Sequence, residues 1–168
     1  THNGYIDHRV YVGHRAGAER RTLIMAKSLP ELPASAVIIN ASLYMLQENV
    51  NSGGATVCAY RINGLWDSET VTWNTKPEYD ETIIDYNTLT VDDNGRTISW
   101  DVTRIAQEWY SGVDNYGIML APHSDSAGGY VRFYSSDSSQ KPVLFITYRD
   151  VKGLEGMWTY SSHSAGSA

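Results

Sequence analysis

The sequence predicts an all-β fold, an antiparallel β-sandwich of jelly-roll-like character with one short helix. Short runs of alternating apolar and polar residues recur along the chain, separated by clusters of Gly, Pro, Asn and Asp at short, irregular intervals. The stretch Gly129 to Tyr148, GYVRFYSSDSSQKPVLFITY, reads as two strands joined by a polar loop. Its 168 residues suffice to bury about two-thirds of the unfolded surface in one well-packed domain, without metal or disulfide staples.

In chain order the alternating runs are Ile6 to Val12, Arg21 to Ala26, Val37 to Leu46, Thr56 to Ile62, Thr97 to Val102, Tyr116 to Ala121, Tyr130 to Tyr134 and Val143 to Tyr148. Within Val37 to Leu46, period two puts Ala41, Leu43 and Met45 on one face and Ser42 and Tyr44 on the other, so the first set faces the core. Asp92-Asp93-Asn94-Gly95 lies between Leu89-Thr90-Val91 and Thr97-Ile98-Ser99, and Asn-Gly supplies the positive φ of a tight hairpin. The same acidic turn could ligate a structural calcium if other oxygen ligands completed it. The helix is expected at about Val102 to Tyr110, capped by Asp101 or Thr103, with Val102, Ile105, Ala106 and Trp109 on one face. In the last paired run, Val131 and Phe133 alternate with Tyr130, Arg132 and Tyr134, so the apolar pair faces inward and two phenol rings flank a guanidinium on the other side. Beyond Tyr148, Arg149 to Ala168 becomes rich in Gly and Ser and reads as a linker or the opening of a following domain.

Composition bounds the partners. Thirteen Lys and Arg against 19 Asp and Glu leave a formal charge of -6, which repels phosphate backbones and argues against a nucleic-acid partner. No apolar run approaches the roughly 20 residues of a membrane span. With 12 Tyr and 5 Trp but only 2 Phe, the aromatic residues are of the kinds that combine a flat ring with a polar edge. Cys58 is the single cysteine, so neither an internal disulfide nor a cysteine zinc cluster is available; in TVCAYRI it reads as a small buried hydrophobe. No signal peptide stands at Thr1, and the chain is expected to be a piece of something longer.

Catalytic patterns are weak. There is no G-x-S-x-G, and His123-Ser124-Asp125 and Ser135-Ser136-Asp137 are strand or loop neighbours that point apart rather than forming a relay. His2, His8 and His14 recur every six residues, about 20 Å in an extended strand, too far to share a zinc ion. The carboxylate pairs Asp67 and Glu69, Asp80 and Glu81, and Asp92 and Asp93 sit in polar loops and read as solvated groups rather than a glycosidase pair. No cofactor is evident. The one cluster that strand periodicity itself predicts is Tyr130, Arg132 and Tyr134. Its rings suit stacking on the C–H faces of pyranose sugars and its guanidinium suits hydroxyls or a uronate carboxylate. The other open reading is a cross-strand ladder that only stabilises the sheet. Tyr44 joins this face if its strand lies in the same sheet, and Tyr60 joins if its own strand exposes that face.

The order of motifs LPELPASAVIINASLYM, LWDSETVTWNTKP, WDVTRIAQEWYSG, NYGIMLAP and VRFYSSDSSQKPVLFITY resembles the DNRLRE-type domain. This is a bacterial extracellular β-sandwich family that resembles carbohydrate-binding modules and occurs in secreted polysaccharide lyases and in large Rhs or YD-repeat surface proteins. The resemblance covers roughly Tyr11 to Tyr148. It implies a domain over residues 1–148, followed at 149–168 by a linker or the start of an Rhs-like region, as GLEGMWTYSSHSAGSA also resembles. It further implies secretion or a cell-surface location, neighbouring domains in a long parent chain of wall-associated or polymorphic-toxin type, and a polysaccharide or surface glycan as ligand rather than a substrate. The alternative is a structural or assembly module without glycan binding. Family members usually begin with a further strand, of the form DTYV; THNGYIDHRVYVG starts at or after that point, so this strand is expected to be missing or altered, and Trp158 to Ser161 are candidates to cover the edge left open. Within the resemblance, Trp66, Val71, Trp73 and Pro77 form a turn over the core, and Trp73, Trp100 and Trp109 are expected to be buried at such corners, the alternative being that they stack on sugar.

Overall fold

The computed structural model describes residues 8–51, 53–124 and 128–151, together with the backbone of 155–161 and 164–167. The sandwich expected from the alternating pattern is present: two antiparallel sheets enclose one apolar layer. The strands are β1 (Arg9–Arg15), β2 (Ala18–Arg20), β3 (Thr22–Met25), β4 (Ala36–Val50), β5 (Ala55–Arg61), β6 (Asp85–Leu89), β7 (Thr97–Asp101), β8 (Ile118–Pro122), β9 (Tyr130–Tyr134), β10 (Val143–Asp150), β11 (Glu155–Ser161) and β12 (Ser164–Ser167), with one helix, α1 (Thr103–Tyr110). A seven-stranded sheet runs β11-β10-β4-β9-β1-β2, with β7 also paired to β4, and a five-stranded sheet runs β12-β3-β8-β5-β6.

The longest strand, β4, organises the first sheet. Its Leu43 lies opposite Leu144 of β10 and Trp100 of β7, while Gln47 to Val50 pair with Phe133 to Val131 of β9. Ala41, Leu43 and Met45 are buried, as the alternation requires, and so are Val131 and Phe133 on β9. Trp100 lies at the centre of the layer, edge-on to Phe133 at 5.6 Å between ring centroids, and its indole N–H donates to the Val57 carbonyl of the opposite sheet at 3.1 Å. One side chain therefore ties the two sheets together. Where β1 meets β9 the backbones approach so closely that a Cβ on Gly13, held at φ +124°, would run into the Gly129 carbonyl and Tyr130.

Helix α1 closes one end. Val102, Ile105, Ala106 and Trp109 are buried along its expected face, and the Asp101 carboxylate accepts the Thr103 backbone N–H at 2.9 Å. Arg61 and Arg104 converge on Glu108 at 2.8 and 3.2 Å, fastening the helix to β5.

Several expectations are corrected. β1 runs to Arg15 and β4 to Val50, both beyond the predicted ends, and the start of the first predicted run at Ile6 lies outside the described residues. The Asn94-Gly95 segment is not a hairpin turn, because β6 pairs with β5 in one sheet and β7 with β4 in the other. Thr90 and Asp93 cap a short 3-10 turn at Val91–Asp93 instead. Asn94 at φ -58°, ψ 130° and Gly95 at φ 76° then make a type II turn that delivers the chain across the sandwich. The turn around Trp66, Val71 and Pro77 roofs the outer face of the five-stranded sheet. There Leu23, Ile62, Met119 and Ala121 form a second apolar cluster, and the Trp66 indole donates to the Tyr116 carbonyl at 2.7 Å. Trp100 and Trp109 are buried, but Trp73 is 41% exposed, with Lys76 4.5 Å and Arg21 5.1 Å from its ring. Cation contacts at its faces hold that ring at the surface in place of core packing. The Gly- and Ser-rich tail contains β11 along β10 and β12 along β3, so it lines one edge of each sheet; the side chains there, including Trp158, lie outside the described residues.

Replacing Trp100 by Phe removes the inter-sheet hydrogen bond and leaves unfilled volume, which should cost about 2–3 kcal/mol. Urea unfolding measures this: the midpoint should fall with the slope unchanged, and a loss under about 0.5 kcal/mol would contradict the bridging role.

Candidate functional site

The inward turn of Val131 and Phe133 points Tyr130, Arg132 and Tyr134 to the outer face of the seven-stranded sheet, where all three are half-buried. Register brings β1 alongside: Tyr11 is opposite Arg132, and Arg9 is opposite Tyr134. Tyr11 and Tyr130 pack with centroids 5.9 Å apart at a 58° tilt, and the Arg15 guanidinium lies 4.5 Å from the Tyr11 ring. Glu48 of β4 stands between two arginines, with Oε1 2.7 Å from Arg9 Nε and Oε2 2.6 Å from Arg132 Nε. The Arg9 contact is an aligned hydrogen bond. The Arg132 contact lies off the N–H direction, so it is a charge contact only, and that N–H has no aligned acceptor. Three arginines against one glutamate give this patch positive character on an acidic chain.

Tyr44 also belongs to this face. It is 37% exposed and lies on β4 two residues before Leu46, about 7 Å along the strand, with its side chain on the Glu48 side of the alternation. Tyr60 does not. It lies on β5 in the other sheet, edge-on to Tyr79 at 5.3 Å and packed beneath the roofing turn. Burial pushes its phenol up to about 12, and the adjacent Cys58 adds to the rise. Arg15 lies beyond the end of the Ile6 to Val12 run, whereas Arg9 and Tyr11 lie within it and join the site only through the pairing of β1 with β9, which the sequence does not show. The alternation RVYVGHR nonetheless carries the signal.

The groups weighed for catalysis serve as turn locks. Asp67 accepts the Glu69 N–H at 2.7 Å, Asp80 the Thr82 N–H at 3.0 Å, and Asp93 the Thr90 N–H at 2.9 Å. The Thr82 backbone N–H holds the Asp80 carboxyl below its usual value, the opposite of what a general acid needs. Ser135 accepts the Asp137 N–H, and His8 Nδ1 meets the Asp137 carbonyl at 2.7 Å. His2 and Asp125 lie outside the described residues. Among the described residues, no group of three or more His, Cys, Asp or Glu is placed to hold a metal ion, and no helix is long and apolar enough to cross a membrane.

The family model for carbohydrate-binding module family 96 matches residues 6–148, the sandwich through β9 and most of β10. The chain belongs to carbohydrate-binding module family 96. It is also similar, at 34% identity over 94 residues, to the tRNA nuclease WapA of Bacillus subtilis strain 168 and to the tRNA(Glu)-specific nuclease WapA of Bacillus subtilis subsp. natto. A third relative, the tRNA3(Ser)-specific nuclease WapA of Bacillus spizizenii, is 33% identical over 93 residues. These matches take in 55% of this chain but only 4% of the length of each relative.

In this member of family 96, the raised phenols give a pH prediction. Tyr60 and Tyr110 are each pushed by burial from the ordinary 10.0 to about 12, and the Tyr110 hydroxyl donates to the Pro30 carbonyl at 2.8 Å. A folded state that holds a proton more tightly keeps that stability below pH 10 and loses it as pH rises toward 12. The thermal midpoint should therefore drop between pH 10 and 12, and Tyr60→Phe should flatten part of the drop; identical profiles for the two proteins would contradict the buried setting of Tyr60.

Proposed function

We propose that the domain holds a polysaccharide or cell-surface glycan without cleaving it, on the outer face of the seven-stranded sheet. The observation that carries the reading is the shared placement of Tyr11, Tyr44, Tyr130 and Tyr134 with Arg9, Arg15 and Arg132 on one sheet face. The rings supply stacking surfaces for pyranoses, and the guanidinium groups supply donors for hydroxyls or uronate carboxylates. Arg132 is already drawn to Glu48, so Glu48 positions it and the ligand competes for its remaining N–H groups. A half-buried platform of this kind fits modest affinity and a long, flat ligand better than an enclosed sugar. Family membership supports the carbohydrate class of ligand.

We place the domain in a secreted or cell-surface protein, as the DNRLRE type, with residues 1–148 as the binding unit and 149–168 leading into a following Rhs-like region. The small share of each WapA relative that it matches supports a module within a much longer chain, whose nuclease chemistry lies elsewhere and whose nucleic-acid contacts this domain does not make. A second reading, a structural module that docks its downstream neighbour, is favoured by one observation: backbone pairing of β11 and β12 continues each sheet with the tail.

Affinity electrophoresis through a panel of neutral and uronate-containing polysaccharides, run with and without calcium, tests the first reading. Tyr130→Ala and Tyr134→Ala should each weaken retention about tenfold or more while lowering stability by only about 1 kcal/mol, the packing share of a surface ring pair. No retention of the intact domain on any polymer would defeat the glycan reading. The second predicts that the domain joined to its downstream neighbour melts at a higher temperature than the domain alone; equal midpoints would count against docking.

A further inference from the structure

The outer face of the five-stranded sheet has a part that the roofing turn leaves open. Thr56 on β5 lies opposite Thr88 on β6, and Cys58 lies opposite Tyr86. The two threonine hydroxyls meet at 3.0 Å, short side chains that leave a hollow between Tyr86 and His123. Its volume is about 640 Å³, within the roughly 300–1,000 Å³ of small-molecule sites. Ile83, Ile84 and Asp85 wall this groove off from a second hollow of about 430 Å³ bounded by Asp101, Arg104 and Gln107.

Tyr86 is the only strand residue in this groove that is both aromatic and 62% exposed, and its backbone is held by Asp85, whose Oδ1 accepts the Tyr86 N–H at 2.8 Å. The other Asp85 oxygen accepts the Asp101 N–H at 2.7 Å, so this carboxylate is committed to the backbone on both sides. A large ring kept at the surface of a groove floored by hydroxyls is poor core chemistry and good sugar chemistry. The Arg-bearing face on the other sheet has a different charge character.

Building on the carbohydrate-binding reading, we infer that this groove is a second glycan site, selective for a neutral, hydroxyl-rich pyranose segment that stacks on Tyr86 and is hydrogen-bonded by Thr56, Thr88 and His123. Because Tyr86 and Tyr130 belong to the outer faces of opposite sheets, the domain holds two chains at once and cross-links them.

Amide-shift titration of the intact 168-residue chain with cellohexaose, xylohexaose and mannohexaose tests the inference. At least one should shift the amides of Thr56, Tyr86, Thr88 and His123. Tyr86→Ala should weaken that binding tenfold or more without changing retention through the Tyr130 face, and Tyr86→Phe should keep it. Absence of shifts at these amides with all three probes, or equal affinity in Tyr86→Ala and the parent chain, overturns the second site. Loss of retention in Tyr130→Ala with an unresponsive groove leaves the first face standing, so the two failures are separable.

Discussion

The contact between Trp100 and Phe133 governs which side of each strand meets solvent. Trp100 fills the middle of the apolar layer, reaches Val57 across it through one hydrogen bond, and presents its edge to Phe133. Once Phe133 is committed inward, a strand with a period of two has no choice but to send Tyr130, Arg132 and Tyr134 outward. A slip of one residue would bury a guanidinium and expose a phenylalanine, a double cost that fixes the register firmly. The platform is thus a consequence of core packing, and its neighbours follow from pairing: β1 adds Tyr11 and Arg9, and β4 adds Glu48 and Tyr44.

The molecule divides its polar chemistry in a consistent way. Carboxylates in the loops are consumed by backbone N–H groups and hold turns, as with Asp67, Asp80 and Asp93. The rings and arginines on the outer face of the seven-stranded sheet stand on strands, where the sheet fixes their spacing. Membership of a carbohydrate-binding module family accords with rings presented on a sheet face. The half-buried Tyr60 and Tyr110 belong to the scaffold, where desolvation pushes their phenols up.

Where alternation was apolar against polar, as in β4, β9 and α1, the sequence could be read directly. Strand β6 escaped because two of its three inward residues, Asp85 and Asn87, are polar and half-exposed, bonding to the backbone of Asp101 and Ser99 in β7, and only Leu89 reaches the core. Asn94-Gly95 misled because Gln47, a fully buried amide, donates to the Thr90 carbonyl and Asn94 and draws the segment toward β4, a contact 43 or more residues distant in sequence. Local turn chemistry cannot reveal such a partner. Tyr60 could not be assigned for a related reason, since period two tells the side of a strand but not the sheet to which it belongs. The Gly- and Ser-rich tail pairs through backbone groups, which leave no pattern in side-chain composition.

A crystal structure of the domain with a bound fragment of whichever polysaccharide it retains would test the central claim most directly. The account predicts sugar rings lying along β1, β9 and the C-terminal half of β4, against Tyr11, Tyr130 and Tyr134, with the positions of Trp100 and Phe133 unchanged. Sugar bound only on the roofing turn around Trp73, with that sheet face bare, would contradict it.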